Sequence, residues 1–252
     1  MTQSMPYRMT RACLVVAAIA CIAGCAGTSA TRKEPVNPDP FERFNRVMYD
    51  INDLGDRYLA RPVAQAYEAG TPTIFRIGAN NFLENLRYPI TIVNDFLQGK
   101  VAQGGRDLAR FAINSTIGLF GLFDPASAAG LEIHDEDFGQ TFAVWGLPQG
   151  PYLVVPVFGP YTVSSAVGDL AGTQLSLIIQ KPDDTGVRNA LMIWYLVHRR
   201  YSLLPADEQL RQAFDPYIFL RDAYLQNRRY KIYDGNPPLE DLYPEDEDDA
   251  AD

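Results

Sequence analysis

Phe41, Phe44, Val47, Met48, Ile51, Leu54, Tyr58 and Leu59 recur at steps of three and four residues, which is the stripe of one amphipathic helix, and it runs to a break near Pro62. The segment Asp39-Pro40-Phe41-Glu42 marks its start, with an acid as N-cap, a proline at the first helical position and a glutamate at the third. The same reading predicts a second helix over 73–87, stopped by Pro89, and a third over 90–97 before Gly99. A fourth covers 103–116. From Phe111 to Phe123 there is no ionisable side chain, and Gly118 and Gly121 interrupt the run, so it reads as a bent apolar element. A helix over 188–204 carries the apolar block 190–197 and then His198, Arg199 and Arg200, with the positive charges where the helix dipole favours them. The last helix repeats the opening device with Asp215-Pro216. Tyr217, Leu220 and Tyr224, then Ile232 or Tyr233, form its aromatic flank, and Arg221, Arg228, Arg229 and Lys231 lie on the same helix. No internal repeat is present.

The stretch 138–168 breaks this helical pattern. It holds no Asp, Glu, Lys or Arg, but has glycines at 139, 146, 150, 159 and 168 and prolines at 148, 151, 156 and 160. Such punctuation excludes a transmembrane helix, because lipid-exposed backbone would lack hydrogen-bond partners. Irregular structure remains, with Leu153-Val154-Val155 and Val157-Phe158 as a short strand or hairpin. Whether this stretch meets lipid or forms an ordinary core stays open, since Trp145, Tyr152 and Tyr161 are rings that suit either setting.

The amino end changes the picture. Arg8 and Arg11 precede an uncharged run from Ala12 that ends in Ile22-Ala23-Gly24-Cys25, too short to span a bilayer and built as the export signal of a bacterial lipoprotein. On this reading 1–24 is removed and Cys25 is diacylated. Residues 25–38 are a flexible tether, 39–235 the folded body and 236–252 an acidic disordered tail. Cys13 and Cys21 leave with the signal, so the mature chain has no free thiol and no internal disulfide. Ala26, in place of aspartate, directs such a lipoprotein to the outer membrane, lipid-anchored on its periplasmic side.

Charge narrows the function. The formal net charge is −9, but eight acids and no base lie in 240–252 and two arginines in the signal, which leaves the body at −3. A nearly neutral body excludes a nucleic-acid binder. Only two histidines exist. His134, in His134-Asp135-Glu136-Asp137, reads as part of a solvated loop or helix cap better than as a metal ligand, because no second ligand cluster accompanies it. His198 is a poor base beside two arginines. With no nucleophile elbow, phosphate loop or dinucleotide fingerprint, no catalytic residue, metal or cofactor is expected.

Several ordered motifs then carry a resemblance. They are Asp39-Pro40-Phe41-Glu42-Arg43-Phe44-Asn45-Arg46 with Met48-Tyr49, Asn85-Leu86 through Pro89 to Asn94, and Leu97-Gln98-Gly99. Arg110 with Asn114, Gly118 and Gly121 follows, and then Asp137-Phe138-Gly139-Gln140-Thr141, Trp145-Gly146, Gly150-Pro151-Tyr152-Leu153-Val154 to Pro156, and Gly159-Pro160. The Asp-Pro-Tyr at 215–217 and the Arg-Asp-Ala-Tyr-Leu-Gln at 221–226 complete the set. In these the chain resembles the MlaA/VacJ family of outer-membrane lipoproteins over nearly all of its mature length. It departs where the family has a serine and then an Arg-Asp pair after Gly159-Pro160, since Tyr161 and Ser164-Ser165 stand here.

The resemblance implies an all-α fold, a multi-helix ring-like disc with a central amphipathic channel and a short β-hairpin within 138–168. It also implies passive retrograde transport of mislocalised phospholipid in the Mla pathway, with a trimeric porin and a soluble periplasmic, MlaC-like lipid carrier as partners. On that basis Gly139, Gln140, Trp145, Gly146, Gly150, Pro151, Tyr152, Pro156, Gly159 and Pro160 are candidates for the channel wall or gate, and Phe44 and Asn45 for a sensitive position beside it. A membrane-anchored lipid hydrolase and a porin-scaffolding lipoprotein are the rivals.

Overall fold

The computed structural model describes residues 39–173, 175–176 and 183–238. The signal, Cys25, the tether and all but the first residues of the acidic tail lie outside the described residues. Within them the fold is largely helical with one two-stranded sheet.

Helix α1 spans Glu42–Gly55, and its start differs from the expected cap. Phe41 occupies the N-cap position and makes no side-chain cap bond. Asp39 is buried instead, where it accepts from the Asn45 amide at 2.7 Å and from the Tyr217 hydroxyl. A carboxylate held by two distant side chains is unavailable to a helix end, so the tertiary partners win over the local one.

The expected break at Pro62 is absent. A π turn, Asp56–Ala60, joins α1 to α2, Arg61–Gly70, and the Arg61 amide reaches back five residues to the Asp56 carbonyl. Proline is tolerated at the start of a helical segment because its missing N–H has no obligatory partner there. The π turn also brings Asp56 to Arg200, which binds it at 2.5 Å and Asp207 at 2.8 Å, while Arg61 reaches both acids at 3.2 Å.

Helix α3, Thr73–Leu97, likewise runs through Pro89, where two helices were expected. An interior proline costs about 3 kcal/mol. Bonds on both sides of it hold the axis. Asn85 donates to the Ser115 hydroxyl at 3.0 Å, Tyr88 to Asp107 at 3.3 Å, and Asn94 accepts from Thr141 at 2.6 Å. Helix α4, Val101–Thr116, packs along α3, and the chain then turns through 117–123 with Leu119, Phe120 and Gly121 all at positive φ. At Gly121 a Cβ would run into the Asn85 side chain. The bent apolar element is thus a helix end followed by a tight turn.

After the single turn α5, Pro125–Ala128, comes α6, Phe138–Val144, capped by Asp137 through the Gln140 amide. Strand β1, Tyr152–Val155, pairs antiparallel with β2, Gly159–Thr162, so that Tyr152 faces Thr162 and Val155 faces Gly159. Val157-Phe158, expected in a strand, forms the turn instead. Val157 has φ +72° and its amide is fixed by the Asn52 side chain at 2.7 Å. Helix α7, Val163–Gly172, starts at a Thr162/Ser165 capping box. Helix α8 spans Thr185–Leu203 and is capped by Asp184. A short 3₁₀ turn and α9, Asp207–Gln212, lead to α10, Pro216–Ile232, whose N-cap Asp215 accepts from the Tyr217 and Ile218 amides as expected.

Asn45 and Asn52 lie two turns apart on one face of α1. Asn45 donates to the Tyr152 carbonyl at 3.0 Å and accepts from the Val154 amide at 2.9 Å, and Asn52 donates to the Val155 carbonyl at 3.0 Å. The polar face of α1 therefore grips the hairpin. Its apolar stripe, with Phe44, Val47, Ile51 and Leu54, faces outward and continues through Tyr58 and Leu59 of the π turn.

Candidate functional site

That inversion extends beyond α1. Among the described residues 18 polar or charged side chains are buried against nine apolar ones, while Ile74, Phe75, Ile77, Ile117, Phe120, Val157 and Leu170 all stand more than half exposed. A water-soluble domain does the reverse, because apolar area gains about 25 cal/mol per Å² by leaving water. Apolar surface outside and polar side chains inside suit a protein whose surroundings are lipid and whose interior handles polar groups.

One group of ionisable residues occupies that interior without being sealed in it. Helix α3 supplies Glu84 and Arg87, one turn apart, and the segment before α6 supplies Asp135 and Asp137. Tyr161 of β2, Asp169 of α7, Tyr195 and Arg199 of α8, and Arg228 and Lys231 of α10 complete it. Arg87 feels the charges of Tyr195, Asp135, Glu84 and Asp169, and Asp169 in turn feels Asp137, Arg87 and Arg199. Phe82 of α3 stacks on Trp194 of α8 at 5.8 Å between centroids, and Gly172 of α7 lies against Ile90 of α3, so these helices approach each other beside the group.

Glu84, Asp135 and Asp169 retain solvent exposure, yet desolvation acts on all three. Surface open to solvent but surrounded by protein is the wall of a concavity. Burial pushes Glu84 and Asp169 above the usual carboxylate range. At Asp135 the burial is outweighed by Lys231 and Arg87, and at Asp137 by Arg228, so both are held below it. Arg228 binds Asp137 at 2.8 Å, and Lys231 binds Asp135. The group has four cations and four carboxylates, so the wall is charged but close to neutral in sum.

The site residues expected from the sequence fall into separate places. Gln140 is buried and donates to the Asp135 carbonyl at 2.8 Å and to Asp137, and Gly139 lies behind Arg228, where a Cβ would overlap the guanidinium. Asn45 is buried at the hairpin, whereas Phe44 points outward. Tyr152 is in the small apolar cluster with Val154 and Tyr217. Trp145 is exposed and donates its indole N–H to the Leu97 carbonyl at 3.0 Å. A Cβ at Gly150, which has φ +70°, would lie 3.0 Å from Val163, and the Pro151 carbonyl accepts from the Val163 amide at 3.2 Å. Gly146 and Gly159 have open space around them, Pro156 is exposed, and Pro160 pairs with Val154 in the hairpin. Only Gly139 and Gln140 adjoin the charged wall.

The wall itself was missed. Its signal lay in charged and phenolic residues at helical spacing, Glu84 with Arg87, Tyr195 with Arg199, and Arg228 with Lys231. The His134–Asp137 segment is a loop ending in a helix cap, with Asp137 capping α6, and the His134 ring is paired, its Nδ1 lying 3.0 Å from both oxygens of the buried Asp107. The reluctance of His198 to protonate comes from burial rather than from neighbouring arginines, and its Nδ1 is 3.2 Å from the Tyr67 hydroxyl. Where the resembled family has its Arg-Asp pair, a hydroxyl network stands. Tyr161 donates to Asp169 at 2.9 Å, and Ser165 shares a 2.8 Å bond with Tyr224. No cluster of three or more metal-ligating side chains occurs among the described residues.

The family described as MlaA lipoprotein matches residues 37–231. The chain belongs to that family. An intermembrane phospholipid transport system lipoprotein, MlaA, of Escherichia coli (strain K12) is 35% identical over 217 residues, 83% of each chain. The protein of that description from Haemophilus influenzae is 31% identical over 226 residues, 85% of this chain and 87% of its own. A solved structure from work on the structural basis for maintenance of bacterial outer membrane lipid asymmetry has 34% identity and a TM-score of 0.68, covering 79% of this chain and 99% of that one. The MlaA match begins two residues before Asp39 and ends in the last turn of α10, so it takes in every element that contributes to the charged wall.

Proposed function

We propose that this MlaA-family chain is a lipoprotein of the outer membrane, acylated at Cys25, that passes mislocalised phospholipid from the outer leaflet to the periplasmic side and so maintains lipid asymmetry. The observation that carries the reading is the inverted distribution of polarity, with apolar stripes outward and polar side chains buried, beside a charged wall that is nearly neutral in sum. Such a wall gives a zwitterionic headgroup a polar path, while the acyl tails stay against the outward-facing apolar side chains. No helix among the described residues is long and apolar enough to cross a membrane, which suits a body seated in one leaflet by its anchor and apolar stripes.

Phospholipid in the outer leaflet of an asymmetric membrane is out of place, so its transfer runs downhill and needs no nucleotide and no covalent chemistry. The chain acts as a conduit and not as a hydrolase. A trimeric porin beside it and a soluble carrier in the periplasm are the partners this route requires. The Gly/Pro-rich segment from Gly139 to Gly168, with Gln140, Trp145, Gly146, Gly150, Pro151, Tyr152, Pro156, Gly159 and Pro160, forms part of the channel wall or gate; Asn45 holds the adjoining hairpin, and Phe44 faces outward beside it. Deleting the gene is expected to raise phospholipid at the cell surface and sensitivity to detergent, both restored by the intact chain. Unchanged surface phospholipid in the deletion strain removes the proposal.

A further inference from the structure

Of the cations on the charged wall, two are already committed. Arg228 is bound to Asp137 at 2.8 Å, and Lys231 is bound to Asp135. Arg87 is different. It is half-buried on α3 and makes no ion pair or hydrogen bond among the described residues, and the Tyr195 ring lies 6.0 Å from its central carbon. At that distance a ring holds a guanidinium weakly and leaves its N–H donors free.

Desolvation works against its charge, but Tyr195, Asp135, Glu84 and Asp169 outweigh that effect and keep it protonated. These groups act from beyond contact distance, so they preserve the cation without using its donors. A buried or half-buried guanidinium is ordinarily satisfied by a carboxylate fork, since leaving it unsatisfied is costly. Here the fork is open, in a concavity, on a side chain whose planar donors match the paired oxygens of a phosphate.

We propose that Arg87 is a phosphate-binding residue, taking the phosphodiester of a glycerophospholipid as the headgroup passes along the wall. This rests on the conduit reading above and deepens it by naming the group that is recognised. Tyr195 supports the guanidinium from one side, and Arg199, four residues on along α8 and without an ion pair among the described residues, adds positive potential on the same helix face. Glu84, one turn before Arg87 on α3, stands where the cationic end of a zwitterionic headgroup meets a carboxylate. Binding stays weak enough for release, because the four carboxylates of the wall nearly cancel its positive charge.

The test uses the detergent-purified mature chain and calorimetric titration with dihexanoylphosphatidylethanolamine, with dihexanoylglycerol as the probe that lacks a phosphate. Arg87→Gln is expected to weaken binding of the phospholipid about tenfold or more and to leave dihexanoylglycerol unchanged. Arg87→Lys, which keeps the charge and loses the fork, is expected to fall between. Equal phospholipid affinity in the Arg87→Gln chain overturns the proposal, as does equal loss of both probes, which is the mark of a structural role. Millimolar inorganic phosphate is expected not to displace the lipid. Displacement that depends on Arg87 reassigns the site to free phosphate and overturns the lipid assignment. A wild-type chain that binds neither probe fails the conduit reading itself, whereas one that restores the deletion strain equally well with Arg87→Gln fails this inference alone.

Discussion

Asn45 makes three bonds from a fully buried position, donating to Asp39 and to the Tyr152 carbonyl and accepting from the Val154 amide. Truncation to alanine leaves a buried carboxylate, a carbonyl and an amide without these partners. Each loss costs about 1–3 kcal/mol, so Asn45→Ala is expected to lower stability by roughly 3 kcal/mol in a denaturation experiment. A change below about 1 kcal/mol shows that water replaces the amide. Asp95 gives a second test at this scale. It is buried, accepts from Gln103 at 2.8 Å, and lies near Asp107 and Glu136. Desolvation first, and then Asp107 and Glu136, push its pKa above the usual carboxylate range, with only Gln103 opposing. The folded state therefore holds this proton more tightly than the unfolded chain, and stability is lost as pH rises from about 4, the unfolded value, to the raised folded one. Asp95→Asn does not titrate. Its melting temperature relative to the parent is expected to climb with pH across that window, and a pH-independent difference rules out the raised pKa.

Among the helices, the contact of α6 with α7 is set by glycine. A Cβ at Gly168 would overlap the Gly139 backbone, and one at Gly139 would meet Arg228 and the Ser165 backbone. Because backbone rather than a flexible side chain is in the way, Gly168→Ala is expected to cost about 1–3 kcal/mol and to weaken the placement of Arg228 beside Asp137. Helix α1 supplies the complementary prediction. Ile51 and Leu54 of α1, and Leu59 of the π turn that continues it, all stand more than half exposed. A Leu54→Asp/Leu59→Asp chain lacking the acyl anchor is expected to shift its partition from phospholipid vesicles to buffer by about tenfold or more, with its circular dichroism in detergent unchanged. Retention on vesicles removes α1 from the lipid-facing surface. The helix and the position of its apolar stripe were legible in the residue spacing, whereas the direction the stripe faces was not. Periodicity reports that a helix has two unlike faces, and burial follows from what surrounds it.

For the whole molecule, the Arg228–Asp137 pair joins α10 to the start of α6 across the chain, and both residues belong to the charged wall. Arg228→Ala leaves Asp137 desolvated and unpaired, so a loss of about 3 kcal/mol is expected, with part of it recovered in Arg228→Ala/Asp137→Asn. No recovery in the double variant identifies the arginine's packing, and not its charge, as the contribution. Most of the helices, the Asp215 cap and the irregular run 138–168 with its hairpin were set by local chemistry: apolar period, proline and glycine placement, and charge count. Family membership was legible too, because its motifs are short and ordered along the chain. The unbroken passage through Pro62 and Pro89, the diversion of Asp39 from capping to a buried bond, and the charged wall depended on residues far apart in sequence. Glu84, Asp135, Asp169 and Arg228 come from α3, the segment before α6, α7 and α10 and are brought near one another only by packing, and whether a carboxylate is solvated, paired or raised in pKa is decided by its neighbours in space.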